Sequence, residues 1–109
     1  MKLAVFDIDG TLTQTMAVTD ALFAKAVSEE LRMQVSEDWS SYPHVTDSGI
    51  LEHVFLNHCG RKPENGEIRS IRTRYLDLLR AECPTAMAIP GAARALQEIG
   101  QNSRWQVAI

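Results

Sequence analysis

Residues Val5–Thr13 read VFDIDGTLT, and this stretch decides the fold. The apolar run Leu3–Phe6 leads into it and ends where the pattern Asp-x-Asp-Gly-Thr begins. Such a run is typical of a buried parallel strand that delivers polar residues at its carboxyl end. Open α/β sheets bind their ligands at that end of the strands. The sequence therefore predicts a functional turn directly after the first strand.

The carboxylates of Asp7 and Asp9 suit chemistry on a phosphate monoester. Its hydrolysis needs a nucleophile, a proton donor for the leaving oxygen and positive charge near the phosphoryl oxygens. Because the residues are two apart on an extended segment, their side chains start on the same face and can supply the first two. Gly10 permits the turn, and free backbone N–H groups beyond it can hold phosphate oxygens. Two carboxylates would repel a dianionic substrate, so the pattern implies a hard cation, for which Mg²⁺ is the natural candidate.

Two other interpretations of the Asp-x-Asp pattern are weaker. A calcium-binding EF-hand loop requires Gly at its sixth position and Glu at its twelfth, whereas counting from Asp7 places Leu12 and Val18 there. A purely structural Asp-Gly turn is common after a strand, but it does not require Asp at both positions. The catalytic interpretation is therefore favoured.

The rest of the chain predicts helices and one more strand from its apolar spacing and its Gly and Pro residues. The expected elements are a helix over 16–31, a loop over 36–47, a helix that Thr46 or Asp47 caps and Gly60 ends, a helix after Pro63, a helix from Pro90-Gly91 to Gly100, and a strand over 105–109. The expected apolar faces of the first three helices contain Val18, Leu22, Phe23, Val27, Leu31, Leu51, Val54, Phe55, His58, Ile68, Ile71, Tyr75, Leu78 and Leu79.

The composition indicates a soluble globular protein. The chain has 109 residues, is 45% hydrophobic and carries a formal net charge of -3, and this length favours one compact unit over two cores. No Lys or Arg cluster offers a surface for nucleic acid or an anionic membrane. The N-terminal apolar run is too short for a signal peptide or a membrane span, so a cytoplasmic protein is expected.

Cys59 and Cys83 lack CxxC spacing and are interpreted as reduced, packed thiols without a catalytic role.

The stretch VFDIDGTLT resembles the first motif of the haloacid dehalogenase (HAD) superfamily. A helical insertion after this motif, then Ile89-Pro90-Gly91-Ala92 before a core helix and a second hydrophobic strand, is the order seen in its phosphoglycolate phosphatase-like branch. The resemblance implies an α/β fold with a HAD-like Rossmannoid core, incomplete over these residues, and an inserted α-helical cap. The corresponding divisions are 1–14 for the first core strand and catalytic turn, 15–88 for the cap, and 89–109 for the core helix and second core strand.

By this resemblance, Asp7 is the nucleophile that forms an aspartyl-phosphate, and it is also a ligand of Mg²⁺. Asp9 protonates the leaving group and then activates water, and its main-chain carbonyl is a further metal ligand. Backbone groups near Gly10 and Thr11 bind phosphate. The implied activity is that of an Mg²⁺-dependent phosphatase acting on a small phosphorylated metabolite. A phosphomutase is the alternative, because phosphatases and phosphomutases of the superfamily share an acid at the position of Asp9.

The resemblance also requires a Ser or Thr at the end of the second strand, a later Lys and a distal acidic pair. None can be placed in this sequence, so full activity is expected to need residues beyond Ile109, and the chain alone is expected to be inactive. A catalytically inactive fragment that serves as an interaction module is a further alternative. Because two strands cannot form a covered parallel sheet, the apolar residues of 3–6 and 107–109 are expected to be exposed and the isolated chain poorly stable.

Three residues of the predicted cap loop, His44, Thr46 and Asp47, are expected to help select the substrate. In similar proteins this loop faces the active site, and loops commonly carry binding residues. His53 and His58 are five apart on a predicted helix and do not share a face, which disfavours a zinc site.

The remaining aromatic and basic residues favour structural roles. Trp39, Tyr42 and Trp105 are interpreted as packing residues, since no basic partners accompany them. The third helix carries Arg69, Arg72, Arg74 and Arg80. Because acidic residues lie among these arginines, the pattern indicates a solvated, mixed-charge face rather than a phosphate site.

Overall fold

The computed structural model describes all residues, Met1–Ile109. Its elements, in chain order, are β1 (Lys2–Val5), α1 (Met16–Leu31), α2 (Asp47–Cys59), α3 (Asn65–Glu82), α4 (Ala92–Gly100) and β2 (Trp105–Ala108). Every predicted helix and strand is present, close to its expected bounds. None of the helices combines the length and apolar content that crossing a bilayer would require.

The two strands form a small parallel sheet. β1 pairs with β2 in a register that places Lys2 opposite Trp105 and Val5 opposite Ala108. The chain is therefore a mixed structure of helices and a short parallel sheet, with a helical insertion between the strands. As expected for so narrow a sheet, most of its apolar side chains are exposed, with Leu3 at 61% and Val5 at 70%. Ala4 and Phe6 are the exceptions and are half-buried.

The chain divides into two compact units. The sheet unit consists of Met1–Thr19 and Pro84–Ile109, and the helical unit consists of Asp20–Cys83. The expectation of one compact unit is therefore wrong. Only one of the two units has a buried apolar core, since every buried apolar residue belongs to the helical unit. The sequence-based division at 15–88 remains a prediction.

The core of the helical unit is built from the predicted apolar faces. Its fully buried side chains include Val27 of α1, Val54 and Phe55 of α2, and Ile71 of α3. Trp39, from the loop before α2, is buried as well. This packing explains why the helices form here, since burying such a face contributes more to a helix than intrinsic propensity does.

Aromatic side chains continue this core in edge-to-face contacts. The Phe23 ring lies 5.3 Å from the Tyr75 ring and 6.3 Å from the Trp39 ring, centroid to centroid, and Trp39 lies 5.3 Å from Tyr42. At these distances aromatic pairs stabilise the folded state by more than the burial of their apolar area alone. The packing roles predicted for Trp39 and Tyr42 are confirmed.

The helix ends follow the predicted caps. The Thr46 hydroxyl accepts a hydrogen bond from the Gly49 N–H at 3.1 Å, which caps α2. Gly60 ends α2 in the left-handed region with φ 68°, and Gly91 precedes α4 with φ 85°. Glycine adopts this conformation without the steric cost that a Cβ imposes.

Five other expectations about burial are wrong. Ile68, which was expected on the apolar face of α3, is 38% exposed. Trp105 is 36% exposed, because β2 pairs only with β1, and its ring lies 5.3 Å from the Lys2 ammonium. Val18 is 41% exposed and lies in the first turns of α1, before the buried stripe begins. His58 and Cys59 are exposed, because the buried stripe of α2 ends one turn earlier at Phe55. Cys83, by contrast, packs against the helical core as expected.

Candidate active site

The Asp-x-Asp turn begins where β1 ends. The Phe6 N–H still donates to the Ala108 carbonyl at 3.0 Å and closes the pairing of the two strands. Asp7 is the next residue and is exposed, and Asp9 follows it half-buried. Both carboxylates therefore come directly after the carboxyl end of a parallel strand, as the sequence predicted. That is the edge at which such sheets bind ligands.

One carbonyl organises the turn. The Ile8 oxygen accepts hydrogen bonds from the N–H groups of Thr11 at 3.2 Å, Leu12 at 2.9 Å and Thr13 at 3.0 Å. Gly10 sits at φ 77°, and its N–H donates to the Thr13 carbonyl at 2.8 Å. The chain can bend this sharply because Gly10 has no Cβ.

These hydrogen bonds change which amides are available to a phosphate. The N–H groups of Gly10 and Thr11 already have acceptors inside the turn. The structure gives the N–H groups of Ile8 and Asp9 no acceptor. Phosphate binding near Gly10 and Thr11 remains a prediction, and Ile8 and Asp9 are additional candidate donors. Sequence reasoning missed them because the hydrogen-bond partners of a turn follow from its conformation.

A pair of threonine hydroxyls connects to Asp9. The Thr15 hydroxyl donates to Asp9 Oδ1 at 2.5 Å and lies 2.7 Å from Thr13 Oγ1. Thr15 is only 7% exposed, so water does not compete freely for these contacts. Sequence reasoning missed both threonines. The one signal in the sequence was a Thr immediately before a predicted helix, which is usually assigned to capping alone.

A segment distant in sequence holds the turn in place. The Gln14 N–H donates to the Met87 carbonyl at 2.7 Å, and the Ile89 N–H donates to the Leu12 carbonyl at 2.9 Å. Thr13 and Ala88 form an antiparallel bridge between these two hydrogen bonds. The chain that follows α3 therefore returns to the turn and holds residues 12–14, where the turn ends, within the sheet unit. We call the segment 87–89 the strap.

The turn offers the oxygen ligands that Mg²⁺ prefers. Asp7 and Asp9 supply two carboxylates. Asp9 and Thr13 also form an isolated parallel β-bridge, whose two hydrogen bonds use the Ile8 carbonyl and the Gly10 N–H. The Asp9 carbonyl therefore takes no part in that bridge. No group of three or more His, Cys, Asp or Glu side chains forms a complete metal site in the chain. Mg²⁺ is commonly held by one or two carboxylates together with water and substrate phosphate, and the residues present fit that pattern.

The residues predicted to select substrate all lie in the helical unit. Thr46 caps α2, and the His44 backbone passes so close to Gly49 that a Cβ there would lie 2.7 Å from the His44 carbonyl oxygen. Asp47 lies on the wall of a cavity of about 470 Å³. Their role in substrate selection remains a prediction.

The two histidines of α2 have separate surroundings. The His53 ring packs on Tyr42 with centroids 4.2 Å apart, and its Nε2 lies 2.9 Å from Asn57 Nδ2. His58 is exposed at the end of the helix. The structure thus gives His53 a packing role.

Comparison with known proteins places this architecture among solved structures. No protein-family model and no curated protein matches the chain. A protein assigned as a beta-phosphoglucomutase from Bacteroides vulgatus matches 98% of the chain with a TM-score of 0.76 and 22% identity. A predicted phosphoglycolate phosphatase from Haemophilus somnus 129PT also matches 98% of the chain, with a TM-score of 0.57 and 16% identity.

Both of these proteins belong to the HAD superfamily, whose members generally use Mg²⁺. The chain spans 44% of the first structure and 49% of the second. At these identities the likeness establishes a shared fold, and the incomplete core implied by the resemblance of the VFDIDGTLT motif is compatible with it.

Proposed function

We propose that this chain carries the nucleophile and the acid–base group of an Mg²⁺-dependent phosphatase that hydrolyses a small phosphorylated metabolite. The observation that carries the proposal is the position of Asp7 and Asp9 directly after a parallel strand, with Asp9 held by the buried Thr15 hydroxyl. The shared fold with a beta-phosphoglucomutase and a phosphoglycolate phosphatase supports phosphoryl transfer as the class of chemistry.

The proposed reaction has two displacement steps at phosphorus. In the first, a carboxylate oxygen of Asp7 bonds to phosphorus while the bond to the leaving oxygen breaks, and the Asp9 carboxylic acid donates its proton to that oxygen. The products are an aspartyl-phosphate and the free alcohol. In the second, the Asp9 carboxylate takes a proton from water as the water oxygen bonds to phosphorus and the Asp7 oxygen leaves. Inorganic phosphate departs, and both side chains return to their starting states.

The hydroxyl chain beside Asp9 suits an acid that alternates between two protonation states. When Asp9 is ionised, Thr15 donates to Oδ1, and Thr13 can donate to Thr15 at 2.7 Å. When Asp9 is protonated, it can donate to Thr15, Thr15 to Thr13, and Thr13 to the Ile8 carbonyl at 3.3 Å. Both arrangements satisfy every hydroxyl, because a threonine O–H can rotate to donate in either direction. Thr15 therefore acts as a positioning residue.

Charge on the phosphoryl group needs compensation that the carboxylates cannot provide. Bound Mg²⁺ would neutralise phosphoryl oxygens, and the Asp7 carboxylate and the Asp9 carbonyl are the groups that would hold it. The free N–H groups of Ile8 and Asp9, together with backbone groups near Gly10 and Thr11, would hold further phosphoryl oxygens. We propose that the required Ser or Thr, Lys and distal acidic pair come from residues beyond Ile109.

The proposal is tested on the complete protein by measuring inorganic phosphate released from p-nitrophenyl phosphate, with Mg²⁺ and with EDTA. We expect turnover that requires Mg²⁺, that Asp7→Asn abolishes and that Asp9→Asn reduces by about 10²–10⁴-fold, the usual worth of a general acid. Asp77→Asn, which removes an exposed carboxylate of α3, is the matched control and should retain activity. Undiminished turnover by Asp7→Asn would overturn the assignment of the nucleophile.

A phosphomutase is the second candidate, favoured by the likeness to the protein assigned as a beta-phosphoglucomutase. It would use the same aspartyl-phosphate but return the phosphoryl group to the substrate instead of water. Supplying a hexose phosphate and analysing the products separates the two activities, since a phosphatase releases inorganic phosphate and a mutase releases an isomeric sugar phosphate.

An inactive interaction module is the third alternative, and Mg²⁺-dependent turnover by the 109-residue chain alone would exclude it.

A further inference from the structure

A cavity of about 470 Å³ lies within the helical unit, apart from the chemistry assigned to Asp7 and Asp9. Phe23 of α1, Leu51 of α2 and the α3 residues Ile71 and Leu76 contribute apolar wall. Three of these side chains also belong to the buried core, so the cavity reaches into well-packed structure. Its volume falls within the range of about 300–1,000 Å³ that is usual for small-molecule sites.

The charges on the wall single out one cation. Lys62 lies 3.4 Å from Glu52, so these two charges compensate each other. Arg72, which also lines the cavity, has no carboxylate within ion-pairing distance. Elsewhere on α3, Arg74 pairs with Glu29 and Arg80 pairs with Asp77. The mixed-charge face predicted for the arginines therefore describes Arg74 and Arg80, whereas Arg72 borders an apolar space and forms no ion pair.

We propose that this cavity binds a small molecule with an apolar body, about the size of an aromatic ring with a short chain, and a single carboxylate. The apolar body would pack against Phe23, Ile71 and Leu76, and the carboxylate would accept hydrogen bonds from the Arg72 guanidinium. A guanidinium matches a carboxylate in a planar, two-point contact. Asp47 and Glu52 are acids on the same wall, so a monoanion fits better than a doubly charged phosphate. The site needs no phosphoryl-transfer activity to function.

The test is a calorimetric titration of the full chain with 4-phenylbutyrate and with 4-phenylbutanamide, its uncharged counterpart. We expect the acid to bind about tenfold or more tightly than the amide, the effect of one charge-assisted hydrogen bond. Arg72→Gln should remove this preference. Arg69→Gln is the matched control, because Arg69 is exposed on the same helix and outside the cavity, and it should leave the preference intact.

A second variant tests the location of the apolar body. Ile68 is 38% exposed and lines the cavity, so Ile68→Trp should fill the space and abolish binding of both compounds. Leu56→Trp places the same ring on the exposed side of α2 and should leave binding unchanged. Circular dichroism confirms that each variant folds. Equal affinity for acid and amide, an acid preference that survives Arg72→Gln, or no binding of either compound at millimolar concentration would each overturn the proposal.

Discussion

The Thr15 hydroxyl lies between two other oxygens, 2.5 Å from Asp9 Oδ1 and 2.7 Å from Thr13 Oγ1. Its side chain is only 7% exposed, and removing the hydroxyl takes a hydrogen bond from both neighbours. We expect Thr15→Val, which keeps the shape, to lower the free energy of unfolding by about 1–3 kcal/mol. Thr15→Ser keeps the hydroxyl and should lose less. Urea denaturation measures both, and equal stability of the two variants would show that the hydroxyl contributes nothing.

Gly10 illustrates a backbone requirement at the same scale. With φ at 77°, an added Cβ is strained, and it would also lie 2.7 Å from the Met16 methyl group. Because the Met16 side chain is flexible, the backbone term dominates, and we expect Gly10→Ala to cost about 1–2 kcal/mol of folding free energy.

Gly66 provides the control for this substitution. It lies in the first turn of α3 with open space around its Cα and without a positive φ. Gly66→Ala should therefore be neutral or stabilise the protein by up to about 1 kcal/mol. A thermal or urea series in which the two variants behave alike would contradict the conformational argument.

Among the elements, α3 has a terminus held by a charged pair. Arg61 donates from Nη1 to Glu67 Oε2 at 2.9 Å and from Nη2 to Oε1 at 2.8 Å, and the Glu64 N–H donates to Oε2 at 2.8 Å. These hydrogen bonds, those from Arg61 first, lower the pKa of Glu67 from its ordinary 4.5 to about 2. A carboxylate in the first turn also interacts favourably with the helix dipole.

The pH dependence of stability follows from that direction. Because the pKa of Glu67 is lower in the folded state, its contribution to stability is complete above pH 4.5 and is lost as the pH falls toward 2. We expect Glu67→Gln to flatten the decline in stability between these pH values. Asp77→Asn, which removes a carboxylate paired only with an exposed arginine, is the control. Unfolding curves recorded across this range would contradict the prediction if Glu67→Gln follows the wild-type slope.

At the scale of the whole molecule, the two units differ in how much apolar surface they bury. All the buried apolar side chains lie in the helical unit, whereas Leu3, Val5 and Ile109 of the sheet unit are 61%, 70% and 68% exposed. Burial of apolar area is the main favourable term in folding. The sheet unit therefore has less to hold it in its folded state.

Hydrogen exchange should show this difference directly. We expect the amides of β1 and β2 to exchange faster than the central amides of α1 and α2, because local opening is least costly where few apolar contacts are lost. Exchange followed by mass spectrometry on the 109-residue chain resolves the two units. Equal protection of strands and helices would show that the exposed sheet is as stable as the helical core.

The sequence by itself determined the order and bounds of the elements and the position of the two carboxylates. Helix and strand periods are local, and caps such as Thr46 and Gly60 act on residues within one turn, so a single stretch of sequence contains the whole signal. For the same reason Asp7 and Asp9 could be placed at the end of a strand from the apolar run that precedes them.

Only the tertiary structure decided which groups support or surround those residues. The strap at 87–89 follows the helical insertion in sequence, yet it forms hydrogen bonds with the turn that precedes the insertion. Arg72 lines a cavity together with side chains of three different helices. The exposure of Trp105 likewise depends on what lies beside β2 rather than on its own neighbours in sequence. Contacts between residues far apart in sequence depend on the packed chain as a whole, and no local pattern contains them.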